Sequence, residues 1–211
     1  MPRRIEWIDQ LKGVAILIVV IRHVMQSNII NCSETILGNA IFAVQMPLFM
    51  IVSGYFSVTS ERYYKFRDEL KTYIKKRTMH YMLPFASWFI IVNVFIRGFY
   101  ERNIIQAMCV LVNNIDVGLW FLYVVFILSL VIIVAKRICY KAKRIQNAGI
   151  ASIIIGGVML LPLVFIGKIL GMRFMGINLI LYYYVFFALG HTLFLYKEKI
   201  KLISNNNVRL M

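Results

Sequence analysis

Acidic groups are the scarcest chemistry in this chain: Asp and Glu total 9, against 24 Lys and Arg, in 211 residues. Charge of either sign is low, at 16%, where a soluble domain carries about 25%. Beside 61% hydrophobic residues, that shortage excludes a disordered chain and a coiled coil. Three Cys are too few for a secreted disulfide scaffold, and no CxxC or Cys/His cluster points to a metal. There is no internal repeat, no low-complexity tract and no Pro/Gly/Ser linker. The chain therefore reads as one domain over residues 1–211.

Long apolar runs are abundant. A membrane span needs roughly 20 mostly apolar residues. Six segments approach or meet that length: residues 13–30, 36–58, 79–96, 118–135, 148–166 and 174–196. The runs are continuous rather than alternating, which predicts helices and not barrel strands. The expected fold is an all-α membrane protein, a polytopic bundle of about six transmembrane helices. Residues 61–77 are charged, with Tyr63, Tyr64, Phe66, Leu70, Tyr73 and Ile74 interspersed. They predict one amphipathic helix on the cytoplasmic membrane surface. Residues 104–112 are too short to span. The first segment has a basic start, but Arg22-His23 interrupts it and no small-residue cleavage site follows, so it is expected to stay as a helix.

The basic residues alternate between loops. Arg3, Arg4 and Lys12 precede or open the first segment. Arg62, Lys65, Arg67, Lys71, Lys75, Lys76 and Arg77 follow the second. Lys136, Arg137, Lys141, Lys143 and Arg144 follow the fourth, and Lys197, Lys199, Lys201 and Arg209 lie in the tail. The other side holds only Arg97, Arg102, Lys168 and Arg173. An excess of Lys and Arg in alternate loops marks the cytoplasmic side, so both termini are expected there. A lipid bilayer explains the charge, and nucleic acid is not needed as a partner. Cys32 and Cys109 fall on the outer side and Cys139 on the inner. A Cys32–Cys109 bridge is topologically open, and three free thiols is the plainer reading.

Arg22 and His23 stand near the middle of the first span. An Arg at a helix centre costs about 2.5–3.5 kcal/mol on insertion scales, so such a group faces a polar cavity or a partner. Lys12 lies eleven residues before His23. Eleven steps return nearly to the same helix face, roughly 16 Å along the axis. Lys12 would then stand at the cytoplasmic mouth of a polar groove and suit an anion such as a phosphate. An imidazole deeper in the wall suits proton transfer. Each has a plainer reading: His23 as an interhelical hydrogen-bond partner, Lys12 as an interfacial anchor.

The residues from Arg4 to His23, RIEWIDQLKGVAILIVVIRH, resemble the first helix of the acyltransferase-3 family of integral membrane proteins. That family carries a basic residue, ten others, then His; here these are Lys12 and His23. Residues 46–56, MPLFMIVSGYF, resemble its second-helix signature. Lys75-Lys76-Arg77 followed by Pro84 is similar to the basic start of its third helix. Leu119-Trp120-Phe121-Leu122 is similar to its outer-loop motif, and residues 186–190 to a later helix. The nearest branch is the fucose 4-O-acetylase-like one.

The resemblance implies transfer of an acyl group, usually acetyl from acetyl-CoA, to a hydroxyl of a carbohydrate such as a bacterial cell-surface polysaccharide. Acyl-CoA is then a donor substrate, not a tightly bound cofactor. His23 would be catalytic, as the base for a weakly nucleophilic hydroxyl or as a covalent acyl carrier. Lys12, Lys75, Lys76 and Arg77 would meet the phosphates of CoA. The family usually has two Arg three residues apart at the third helix; here Arg77 is followed at that spacing by His80, which would serve in place of the second. Arg22 stands outside the family pattern, as an oxyanion stabiliser or a salt-bridge partner. Members commonly have about ten spans, so six leave the last helices of the family absent. That raises an alternative: a non-catalytic truncated remnant, an accessory subunit, or one chain of an oligomer. A small transporter ranks last, because paired acidic residues within the spans are lacking.

Overall fold

The computed structural model describes residues 6–28, 35–57, 60–92, 104–113, 115, 119–142 and 148–196. All regular structure among them is helical. The helices are α1 (Glu6–Asn28), α2 (Ile36–Tyr55), α3 (Arg62–Lys65), α4 (Arg67–Arg77), α5 (Leu83–Ile91), α6 (Ile104–Asn113), α7 (Trp120–Lys141), α8 (Ala148–Leu170) and α9 (Ile177–Leu195). Four stretches are long and apolar enough to cross a membrane: Ile36–Tyr55, Trp120–Lys141, Gly149–Leu170 and Phe174–Leu195. These correspond to four of the six expected spans. In the first segment the described apolar stretch is Gly13–Met25. In the third, α5 holds nine residues and the description stops at Val92, so residues 93–96 of the expected span lie outside the described residues.

The chain divides into two compact units, residues 1–56 with 186–211, and residues 57–185. In the first unit, the Thr35 hydroxyl caps α2 by accepting from the Gly38 N–H at 3.0 Å. The Gly38 carbonyl in turn accepts from Arg22 Nη1 at 2.9 Å, which ties α1 to the start of α2. Helix α2 meets the second half of α9 backbone to backbone. A Cβ on Gly54 would run into the Phe187 carbonyl, and one on Gly190 into the Ile51 carbonyl. Small residues permit that approach in the absence of a hydrophobic drive between spans. Further along, the Tyr55 and Phe194 rings pack edge to face at 5.0 Å.

The second unit is built on α7, whose buried Val124, Leu128, Ile132 and Ile133 face its neighbours. Helix α8 lies against it, and Gly156 leaves room for the Tyr184 hydroxyl of α9. That hydroxyl donates to the Ile153 carbonyl, so a polar group within the span is satisfied. The outer face of α8 shows Leu161, Phe165 and Ile169, each more than 60% exposed, as a lipid-facing surface requires. Helices α8 and α9 join through Gly171 (φ 98°) and a 3₁₀ turn in which Gly176 (φ 64°) also takes a left-handed conformation.

Residues 61–77 do not form the single amphipathic helix expected of them. Phe66 is extended, at φ −101° and ψ 139°, and separates α3 from α4. Arg137 Nη1 of α7 donates to the Tyr64 carbonyl at 3.2 Å, which uses a backbone acceptor next to the break. Helix α4 instead runs on through a π-helical turn, Thr78–Met82, into α5. Pro84 explains the widening: it has no N–H for the His80 carbonyl, and its ring crowds the same group.

Candidate active site

Four of the five expected donor-binding residues, Lys75, Lys76, Arg77 and His80, fall on one helical stretch. Thr72, Lys75, Lys76, Met79 and His80 line an open hollow of about 640 Å³. Spacing explains the grouping, because positions three and four apart share a helix face. Lys75, Lys76 and His80 are exposed, so their charged or polar ends are free to meet an anion in water.

Arg77 does not line that hollow. It is half-buried, and its guanidinium lies 5.2 Å from the Tyr73 ring centre and 5.5 Å from that of Tyr81. Its Nη1 donates to the Tyr81 hydroxyl at 2.8 Å. The Tyr81 ring also packs edge-on against His80 at 5.0 Å. Tyr73 is 5% exposed, and its hydroxyl makes no hydrogen bond among the described residues. Burial pushes the Tyr73 phenol up, while the Arg77 guanidinium and the Ser129 hydroxyl of α7 pull it back. Of the five residues expected to form one donor site, Lys75, Lys76 and His80 line the hollow and Arg77 stands apart beside two tyrosines, while the Lys12 side chain lies outside what is described.

His23 lies on α1 in the first unit, within the apolar stretch Gly13–Met25, and its side chain is exposed. Arg22 beside it turns to the Gly38 carbonyl, a role in helix pairing. Lys12 is a residue of α1, and its side chain lies outside what is described, as does Cys32. Cys109 is a free, exposed thiol and Cys139 a free, buried one. Sequence reading missed Tyr81 and treated Tyr73 only as an apolar contact. The signal was present in their spacing, with Tyr73, Arg77 and Tyr81 four residues apart on one helical path.

This arrangement can do two things chemically. A cationic hollow with an imidazole binds phosphate oxygens by charge-assisted hydrogen bonds. An imidazole such as that of His23 can accept a proton from a hydroxyl nucleophile. Neither a curated protein nor a solved structure matches the chain. The acyltransferase domain model of the acyltransferase-3 family does match, over residues 5–206. That match takes in every helix from α1 to α9, and the chain belongs to the acyltransferase-3 family of membrane acyltransferases.

Proposed function

We propose that this protein is an O-acyltransferase that moves an acetyl group from acetyl-CoA to a hydroxyl of a carbohydrate, such as a cell-surface polysaccharide. Its place within the family is beside the fucose 4-O-acetylase-like branch. It sits in the cell membrane with both termini cytoplasmic. The observation that carries the reading is the hollow that groups Lys75, Lys76 and His80, next to Arg77 on the same helical stretch, in a chain of this family. CoA is cytosolic and polyanionic, and this hollow offers it three groups able to bear positive charge.

His23 acts as general base. It takes the proton of the acceptor hydroxyl while the oxygen attacks the thioester carbonyl carbon. The carbon–sulfur bond breaks, the thiolate of CoA leaves, and the proton passes from the imidazole to that sulfur. A positioned base contributes typically about 10²–10⁴-fold in rate. Lys12, Lys75, Lys76, Arg77 and His80 hold the donor.

Acetyl-CoA binding and slow hydrolysis by the purified protein in detergent test this without knowledge of the acceptor. Binding by both wild type and His23→Ala, with hydrolysis by wild type alone, is the expected result. Equal hydrolysis by the two proteins overturns the assignment of His23. No binding by folded wild type overturns the donor and favours the accessory-subunit reading.

A further inference from the structure

We propose that Tyr81 and Tyr73 are positioning residues that hold the Arg77 guanidinium as a second anion-binding point, beside the lysine hollow and distinct from it. The inference rests on the acyl-CoA reading for the identity of its ligand, a phosphate or pyrophosphate group. A long arginine loses much rotamer freedom when it is fixed. Here that ordering is done before any ligand arrives. The Tyr81 hydroxyl accepts one N–H, at 2.8 Å, and the Tyr73 and Tyr81 ring centres lie 5.2 and 5.5 Å from the guanidinium carbon. A guanidinium this close to aromatic rings is held by cation–π attraction, and its remaining N–H groups keep their fork geometry.

The groups around this point can each donate. Arg77 has no acceptor atom, and a tyrosine hydroxyl that accepts from it still has its own proton to give. The Tyr73 hydroxyl is buried and makes no hydrogen bond among the described residues. No carboxylate forms an ion pair with Arg77 among the described residues; the ion pairs there join Arg62 to Glu69, Lys65 to Glu61 and Lys71 to Asp68. A guanidinium with N–H groups left over, beside hydroxyls that can donate, recognises an acceptor-only ligand, and phosphate oxygens are that. The π-helical turn belongs to the same device. It contains Tyr81 and His80, so one ring touches both Arg77 and the histidine that lines the hollow. Single π turns occur frequently at functional sites.

The test uses the full chain in detergent with two probes, acetyl-CoA and inorganic pyrophosphate, and the variants Tyr81→Phe, Arg77→Ala, their combination, and Tyr73→Phe. Tyr81→Phe keeps the ring and removes the acceptor. It should weaken binding of both probes about three- to tenfold, less than the roughly 10- to 150-fold of a hydrogen bond to a charged group, because the lost bond orients Arg77 and does not touch the ligand. Where turnover is measurable, the donor KM rises and kcat holds. In the Arg77→Ala background the same change should cost nothing more, because the group it positions is gone. Tyr73→Phe keeps the flanking ring and removes a buried hydroxyl that does not bond Arg77, so it should weaken both probes less than Tyr81→Phe does. Phenylglyoxal labelling, read peptide by peptide, should find Arg77 more reactive in Tyr81→Phe than in wild type.

Unchanged binding and unchanged labelling in Tyr81→Phe overturn the proposal. So do losses that multiply in the double variant. Wild type that binds pyrophosphate but not acetyl-CoA overturns the donor reading and leaves the positioning role standing, provided Tyr81→Phe weakens pyrophosphate. Pyrophosphate binding that neither variant weakens overturns the positioning role even where acetyl-CoA binds.

Discussion

Arg22 shows how one side chain can mislead and inform at once. Its place within an apolar helix marks it for a chemical role, because a cation there is costly. Its guanidinium instead reaches the Gly38 carbonyl and helps join α1 to α2. Arg22→Ala is therefore expected to lower stability by about 1.5–3 kcal/mol, the range for a hydrogen bond to a charged group. Thermal unfolding in detergent checks it, and Arg22→Lys, which keeps one cationic donor, should recover part of the loss. Tyr73 makes a second residue-scale prediction. Its phenol is raised from 10.0, chiefly by burial. The folded state thus holds that proton more tightly than the unfolded chain does. The associated stability is complete below pH 10 and declines as pH rises through the raised value. A spectrophotometric titration of wild type minus Tyr73→Phe should show a phenol that ionises late.

At the scale of elements, helix pairing in the first unit depends on absent side chains. Gly54 and Gly190 each meet a backbone carbonyl where a Cβ would stand. A backbone cannot step aside as a flexible side chain can. Gly54→Ala and Gly190→Ala are expected to cost at least about 1–3 kcal/mol each, as overpacking does. Gly13→Ala is the control: it meets nothing within 4 Å and replaces a poor helix former with the best one. Loss of a monodisperse species in the first two and an unchanged or raised melting temperature in the third is the expected pattern. The π turn makes a similar point about Pro84. The sequence places a proline at the start of the third apolar segment, and the structure shows helix on both sides of it, with the ladder widened just before.

For the whole molecule, the basic loops carry the orientation. The proposed topology puts Cys109 outside and Cys139 at the inner end of α7, where it is also buried. A membrane-impermeant maleimide added to intact cells should label Cys109. Labelling of Cys109 only after permeabilisation would reverse the orientation. Lys136 departs from the loop count in an instructive way. It is 7% exposed, because α7 continues to Lys141 and carries it into the packed surface. A count by loops assigns it to the cytoplasmic solvent.

Long apolar runs and alternating basic loops, as properties of composition along the chain, predicted an all-helical membrane protein before any packing was known. The motifs around Lys12, His23 and residues 46–56 carried the family for the same reason, since they are local. Positions three and four apart on one helix also bring Lys75, Lys76 and His80 to one hollow. Other features depend on groups distant in sequence. Whether Arg77 joins the lysines depends on which face of α4 meets α7 and on the two tyrosine rings that take the guanidinium. Whether Arg22 is chemical or structural depends on a carbonyl sixteen residues away. The break at Phe66 and the buried end of α7 likewise follow from contacts between helices. Local pattern fixes which residues can be helical and apolar; the partner of each polar group within that pattern is set by the packing of one helix on another.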